Sequence, residues 1–364
     1  MAYTTIDDSS AHFQIALWTG NTSAPRSITN DGNSDLKPDI VWAKNRSTAG
    51  TDHELYNSTM GTGTNANLQP NNANGVGTGT TYGQLTAFLT DGFTVDAGGT
   101  NDDKFNENGS AFVAWQWKVG GGSTSTNGDG NISATVQANT TAGVSLVFYT
   151  GDGTNSGRTV GHGLGAVPKM IISKDRDATS NVPGWRIYHQ AAGATKYFEF
   201  TTPAAGTFND WDNTAPTSSV YSIGGDGGYK PTNTASTEYI ALVFADVQGF
   251  SKFGSYTGNG AADGPFVYTG FKPAFVILKG INAAGSWYML DNKREDDGNV
   301  ANHALEVNQS AAEYDSTNFI DTLSNGFKLR IGTSEVNTDG NSYLYMAFAE
   351  NPFVTSKGIP TTAR

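Results

Sequence analysis

Three times along this chain a proline is followed, six residues later, by a lysine, with a short apolar run between them. Pro38 leads through "DIVWAK" to Lys44, Pro168 through "KMIISK" to Lys174, and Pro273 through "AFVILK" to Lys279. An X-Pro step holds the preceding residue in extended geometry. A brief apolar, β-branched run bounded by proline and lysine reads as a strand buried on both faces. Upstream of each proline stands an aromatic residue followed by Thr-Gly: Trp18-Thr19-Gly20, Tyr149-Thr150-Gly151 and Tyr256-Thr257-Gly258. The loops from glycine to proline differ, at 18, 17 and 15 residues.

Downstream the correspondence continues. A second apolar stretch follows as "HELYN" at 53–57, "WRIYH" at 185–189 and "WYMLD" at 287–291. Then comes a Gly-aromatic step at Gly92-Phe93, Gly228-Tyr229 and Gly326-Phe327, expected to pair with the closing strand. That closing strand reads "AFVAWQWK" at 111–118, "EYIALVFA" at 238–245 and "SYLYMAFA" at 342–349, making Phe112, Tyr239 and Tyr343 equivalent. Units of about 105 to 130 residues exceed solenoid or propeller periods, so each is expected to be a whole domain. The spacing predicts an all-β chain of three tandem β-sandwich domains, jelly-roll or lectin-like, at 1–119, 131–247 and 248–364. The Gly/Ser-rich stretch 120–130 reads as a flexible linker, and the long polar loops 57–84 and 201–219 are expected on the rims.

Composition agrees. Forty-five glycines, 41 aromatic residues (19 Phe, 15 Tyr, 7 Trp) and only 15% charged residues favour strands and polar loops over helices. The net charge of −12, with 22 basic residues scattered among 364, excludes nucleic acid as a default partner. With no cysteine, disulfides and thiolate metal sites are impossible. The start "MAYTTIDDSS" shows no secretory signal and no apolar run is long enough for a membrane helix, so synthesis in a cytoplasm is expected, with no membrane insertion.

Motifs that carry chemistry are weak. The five histidines (His12, His53, His162, His189, His303) form no zinc-hydrolase spacing, and "HALE" at 303–306 matches no metal motif. "GHGLGAV" at 161–167 reads as a turn leading into a strand, since proline follows where a dinucleotide fold needs a helix. "NGDGN" at 127–131 begins like a calcium loop but has Ile132 at the sixth position and Ala138 at the twelfth. The acidic run "REDDGN" at 294–299 reads as solvated surface. A glycosidase needs two facing carboxylates, and nothing selects a pair among 34 acids. Lys44, Lys174 and Lys279 are expected to carry their charge to solvent along an apolar stem. Trp211, within "FNDWDNTAP", is either an exposed ring for a sugar or a cover for a sheet edge. No catalytic residue, metal ligand or cofactor is expected, and no ligand-binding residue is assigned.

The motifs "LKPDIVWAKNR", "DGFTV", "FVAWQWK", "VGHGLGAVPKMIISKDR", "DNTAPTSSVYSIGG" and "GFSKFGSYTGNGAADGPFVYTGFKPAFVILKG", with "LSNGFKLR" and "YLYMAFAENPF", resemble a family of tailed-phage virion proteins common in marine and cyanobacterial phages. The resemblance runs from about Phe13 to Phe353. It implies a non-enzymatic virion component, a tail fibre or receptor-binding appendage, with other virion proteins and host surface glycan as partners and a homo-oligomer, a trimer favoured, as the assembly. A capsid decoration or tail adaptor and a polysaccharide-degrading tail enzyme are the alternatives.

Overall fold

The computed structural model describes residues 3–77, 81–99, 103–177, 184–202, 204–295, 299–332 and 335–361, with side chains 316–318 left aside. The chain is all-β, arranged in several sheets, one of them an eight-stranded sheet that nearly closes into a barrel. Among the described residues no helix is long and apolar enough to cross a membrane.

The sequence repeat reappears as strand order. In the first repeat the opening strand Phe13–Thr19 pairs with the closing strand Ala111–Trp117, which pairs with the Pro-to-Lys strand Ile40–Asn45, which pairs with Glu54–Asn57. The second repeat gives Val144–Thr150, Glu238–Phe244, Met170–Asp175 and Trp185–His189 in the same order. The third gives Ser251–Thr257, Ser342–Pro352, Phe271–Gly280 and Tyr288–Asp291. All these pairings are antiparallel.

The Gly-aromatic step departs from expectation. Phe93–Asp96 pairs with Arg26–Ile28 and Gln84–Phe88 in a separate three-stranded sheet, not with the closing strand. Gly326–Leu329 likewise pairs with Phe266–Tyr268 and Tyr314–Leu323, and in this repeat the second layer is continuous with the main sheet. Gly228-Tyr229 is not a strand: Tyr229 closes a turn on Asp226, and Val220–Ile223, paired with Arg158–Gly161, stands in that layer.

The thrice-written aromatic-Thr-Gly phrase has a packing cause. Each opening aromatic stacks on its partner in the closing strand: Trp18 on Phe112 at 5.2 Å, Tyr149 on Tyr239 at 5.0 Å and Tyr256 on Tyr343 at 5.1 Å. The polar atom of each donates to a buried carbonyl, of Phe105, Thr232 and Val336 respectively. The glycine follows because the backbone of a neighbouring loop lies against it. A Cβ on Gly20, Gly151 or Gly258 would meet the carbonyl oxygen of Glu107, Thr234 or Thr338 at 1.9, 2.2 and 2.4 Å. That loop is pinned by a buried asparagine in each repeat, Asn106, Asn233 and Asn337, whose Oδ1 accepts from the backbone of Asn21, Asp152 and Asn259.

Strand alternation sends side chains two ways. Val41 and Ala43, Ile171, and Val276 and Leu278 face apolar clusters built within their own repeats. Ile40 and Trp42, Met170 and Ile172, and Phe275 and Ile277 face a single cluster that all three repeats share. The expectation of a strand buried on both faces therefore holds, and the second face is covered by the other repeats. Phe348 is the aromatic hub of that shared core, with Phe13 at 5.2 Å, Trp117 at 5.6 Å and Phe244 at 6.1 Å.

Residues expected as connectors also join the body. Val119, just before the Gly/Ser-rich stretch 120–130, is buried, and its N–H and that of Gly121 both donate to Asp39 Oδ2 at 2.7 and 2.8 Å. Within the stretch Ser125–Asn127 pairs with Ala134–Asn139, so this part of the expected flexible linker is an edge strand. The loop 57–84 is no simple rim: Leu68 is buried and bridges to Leu55, and Val76 N–H donates to Arg176 in the next repeat.

Candidate functional site

The three repeats meet head to tail. In the second stretch the equivalent positions 53, 185 and 287 each place a ring N–H against the carbonyl of a neighbouring repeat. Trp185 Nε1 donates to Gln69 O at 3.2 Å, and also to Asn72 O at 3.0 Å. Trp287 Nε1 donates to Glu199 O at 2.9 Å. His53 Nε2 meets Glu306 O at 3.1 Å, while its Nδ1 accepts from Trp42 Nε1 at 3.1 Å, which fixes the proton on Nε2. The acceptors are themselves equivalent, because Leu68, Phe198 and Leu305, one residue earlier, oppose Leu55, Ile187 and Met289. The second repeat thus bonds to the first, the third to the second, and the first to the third. This is a heterologous contact that closes.

The three lysines lie beside these ring donors, and here the expectation of solvent-exposed charge is overturned. Lys44, Lys174 and Lys279 are fully buried. Their ammonium groups donate to the carbonyls of Asn45, Ala73 and Gly285. Lys174 and Lys279 also lie over the rings of Trp185 and Trp287, at 5.6 and 5.7 Å. Burial lowers all three to about 8. Lys174 is held across the seam by Ala73 of the first repeat, whereas Lys44 and Lys279 are held by carbonyls of their own repeats.

One residue past each ring donor the side chain turns the other way, and there the repeats diverge. In the second repeat Arg186 is buried, ion-paired with Glu199 and Asp210, and hydrogen-bonded to Tyr229 OH at 2.7 Å, with the Tyr197 ring 4.2 Å away. Burial raises Asp210 to about 6 despite the opposing Arg186 charge. In the third repeat Tyr288 OH donates to Glu335 at 3.0 Å, beside a Tyr314–Glu306 bond of 2.9 Å.

In the first repeat the same position is Glu54. Its carboxylate is buried and held by Lys104 at 2.5 Å, Asn67 Nδ2 at 2.6 Å and Gln69 Nε2 at 2.9 Å. Burial raises its pKa, and Lys104 and the two amides oppose that rise. Next to it opens a polar cleft of about 420 Å³, lined by Thr51, Asp52, Asn67, Gln69, Tyr82 and Lys104 among others. Tyr82 is 46% exposed, and Lys104 Nζ lies 5.7 Å from its ring centre. Thr51 Oγ1 and Asn67 Oδ1 are buried without a hydrogen-bond partner.

The residues singled out in the sequence fall elsewhere. Trp211 is 1% exposed and packs edge-on to Tyr188 at 5.9 Å, so it covers a sheet and offers no ring to a sugar. In "HALE" the alternating strand Val300–Glu306 separates the two side chains: His303 Nδ1 meets Asp315 at 2.6 Å, whereas Glu306 accepts from Ser286 at 2.6 Å. In "NGDGN" Asn127 Oδ1 accepts from Asp129 N–H, and Asn131 ties to Gly157 and Thr159. His162 and Leu164 of "GHGLGAV" are buried. Of the run 294–299, Arg294 is buried against Asp291 at 2.7 Å, and residues 296–298 lie outside the described residues. The cleft was missed because its parts come from four separated stretches, with no motif to join them.

The chain matches, over residues 8–352, the model of a family described as a domain of unknown function, DUF7483. The chain belongs to that family. Its model takes in all three repeats together, as the shared core does. No curated protein and no solved structure matches the chain.

Proposed function

We propose that this DUF7483 protein is a non-enzymatic virion component of a tailed phage, a tail fibre or receptor-binding appendage that contacts the host surface. On this reading its three repeats are fused lectin-like β-sandwiches. The observation that carries the proposal is a division of labour among residues. What the repeats share is used by the fold: the stacked aromatic pairs, Gly20, Gly151 and Gly258, the buried asparagines and the buried lysines. What differs between them lies at the corners beside Glu54, Arg186 and Tyr288 and in the loops around them. A rigid body with diverged corners suits recognition, and many copies on one particle would make weak contacts effective. The ordered motifs from Phe13 to Phe353 supply the resemblance to virion proteins. Other virion proteins and host surface glycan are the proposed partners. The proposed assembly is a homo-oligomer, with a trimer favoured by the usual symmetry of fibres.

Antibodies raised against the purified chain test the proposal on intact particles. Labelling of tail tips or fibres, with blocked adsorption to host cells, is the expected result. Labelling confined to the head surface would replace the appendage by a decoration protein.

A further inference from the structure

We infer that the cleft beside Glu54 is a binding site for an uncharged sugar unit of a glycan. The inference rests on the host-facing reading for its biological sense but has its own physical grounds.

Size comes first. A cavity of about 420 Å³ lies within the range of ~300–1,000 Å³ typical of small-ligand sites. The chemistry of the walls then selects the ligand. A pyranose presents an apolar C–H face and a rim of hydroxyls. Tyr82 offers an exposed ring for the face, with Lys104 beside it. Hydroxyl groups need acceptors, and the walls are rich in them. Asp52 presents a carboxylate, one oxygen of which is steadied by Asn71 Nδ2 at 2.6 Å. Asn67 has its amide oriented by donation to Glu54, which turns Oδ1 into the remaining acceptor. That oxygen and Thr51 Oγ1 have no protein partner although Asn67 and Thr51 are 7% and 3% exposed. Buried polar atoms are rarely left so, because each costs about 1–3 kcal/mol unmet.

Charge narrows the class further. Among the described lining residues Lys104 is the only cation, and it is engaged by Glu54. Asp52 sets a carboxylate on the wall beside that engaged cation, which disfavours uronic and sialic acids. Among the described residues no three acidic or histidine side chains gather as a metal set, so a bound cation is not the favoured occupant. The matching corner of the second repeat is occupied by Arg186 and its partners, and that of the third by Tyr288 and Glu335. In the first repeat the cleft stands next to the buried anion Glu54.

Saturation-transfer NMR on the whole chain tests the site. The probes are the methyl glycosides of glucose, galactose, mannose and N-acetylglucosamine, with methyl glucuronide and sialyllactose as anionic controls. At least one neutral glycoside is expected to show transfer, with weaker or no transfer to the anionic sugars. Tyr82→Ala is expected to weaken that binding at least tenfold and Thr51→Val several-fold, at an unchanged melting temperature for Tyr82→Ala. Absence of transfer to every neutral glycoside, preference for the anionic sugars, or binding indifferent to both substitutions would each overturn the site. A chain that fails this test yet labels tail tips keeps the appendage reading. A chain that passes it yet is missing from virions keeps the site and loses that reading.

Discussion

Arg46 grips both carboxylate oxygens of Glu313, 267 residues further along the chain, with Nε–Oε2 and Nη2–Oε1 separations of 2.9 and 2.6 Å. The backbones join as well, Glu313 N–H donating to Arg46 O at 2.8 Å. This pair spans the seam between the first and third repeats, which no peptide connection closes. Arg294 binds the same carboxylate at 2.5 Å and continues to Asp291, which accepts from Trp115 Nε1 at 3.0 Å. The seam without a covalent tether therefore carries the charged network.

Removing Arg46 should loosen that seam. Arg46→Met is expected to cost on the order of 2 kcal/mol, between the values for exposed and fully buried pairs. A double-mutant cycle with Glu313→Gln, read by urea denaturation, checks it, since two additive losses would mean that the pair is not coupled. Burial alone would raise the Glu313 pKa, but the hydrogen bonds and charges of Arg46 and Arg294 outweigh it and hold it below the ordinary value. Its contribution is thus present above the unfolded carboxylate range and disappears as pH falls through the lowered folded value.

Two buried histidines set an earlier acid limit. His53 bridges Trp42 and Glu306 O, and His189 bridges Ala191 N–H and Tyr345 O across the second and third repeats. Burial lowers both, His53 well below its ordinary value and His189 to about 4. The unfolded chain takes up protons first, so stability is full above about pH 6.5 and falls as pH drops toward 4. Thermal unfolding between pH 7 and 4.5 should show this decline, and His189→Gln should flatten it. A decline identical in that variant would remove His189 from the account.

The lysines act at the other end of the scale. With folded values near 8 against an ordinary 10.5, they are protonated in the unfolded chain where the native chain has released the proton. Stability should therefore rise between pH 8 and 10, with Lys174→Met making the rise shallower. Denaturation midpoints across that range are the measurement. A flat profile shared by both proteins would mean that Lys174 is not desolvated.

The repeated glycine gives a steric prediction. Gly151→Ala places a methyl 2.2 Å from Thr234 O, a backbone atom that cannot step aside alone. A loss of about 2 kcal/mol or more is expected, of the kind produced by overpacking. Asn233→Ala, which removes the pin of the same loop, should cost about 1–3 kcal/mol. Because both act on one loop, the double variant should fall short of the sum.

The strands were legible because their signals are local. Proline, an apolar run and lysine within seven residues suffice to mark Ile40–Asn45 and its two counterparts. The Gly20, Gly151 and Gly258 spacing marked the start of each repeat. The same reading sent Lys44, Lys174 and Lys279 to solvent, because a strand end looks exposed until the carbonyls that bind its lysine are placed around it. Asn106, Asn233 and Asn337 recur six residues before the closing aromatic, a spacing whose meaning depends on the docked loop that each asparagine pins. Gly228-Tyr229 misled because a turn and a strand start share that dipeptide. The cleft depended on Thr51, Asn67, Tyr82 and Lys104 converging, which only the docked loops bring about.

The central claim is that the three repeats share one core and close on one another. Differential scanning calorimetry of the whole chain tests it most directly. The account predicts one transition whose calorimetric and van't Hoff enthalpies agree, with Trp287→Phe, which removes the donor to Glu199 O, lowering that single transition as a whole. Two or three separable transitions, with Trp287→Phe shifting only one of them, would contradict it.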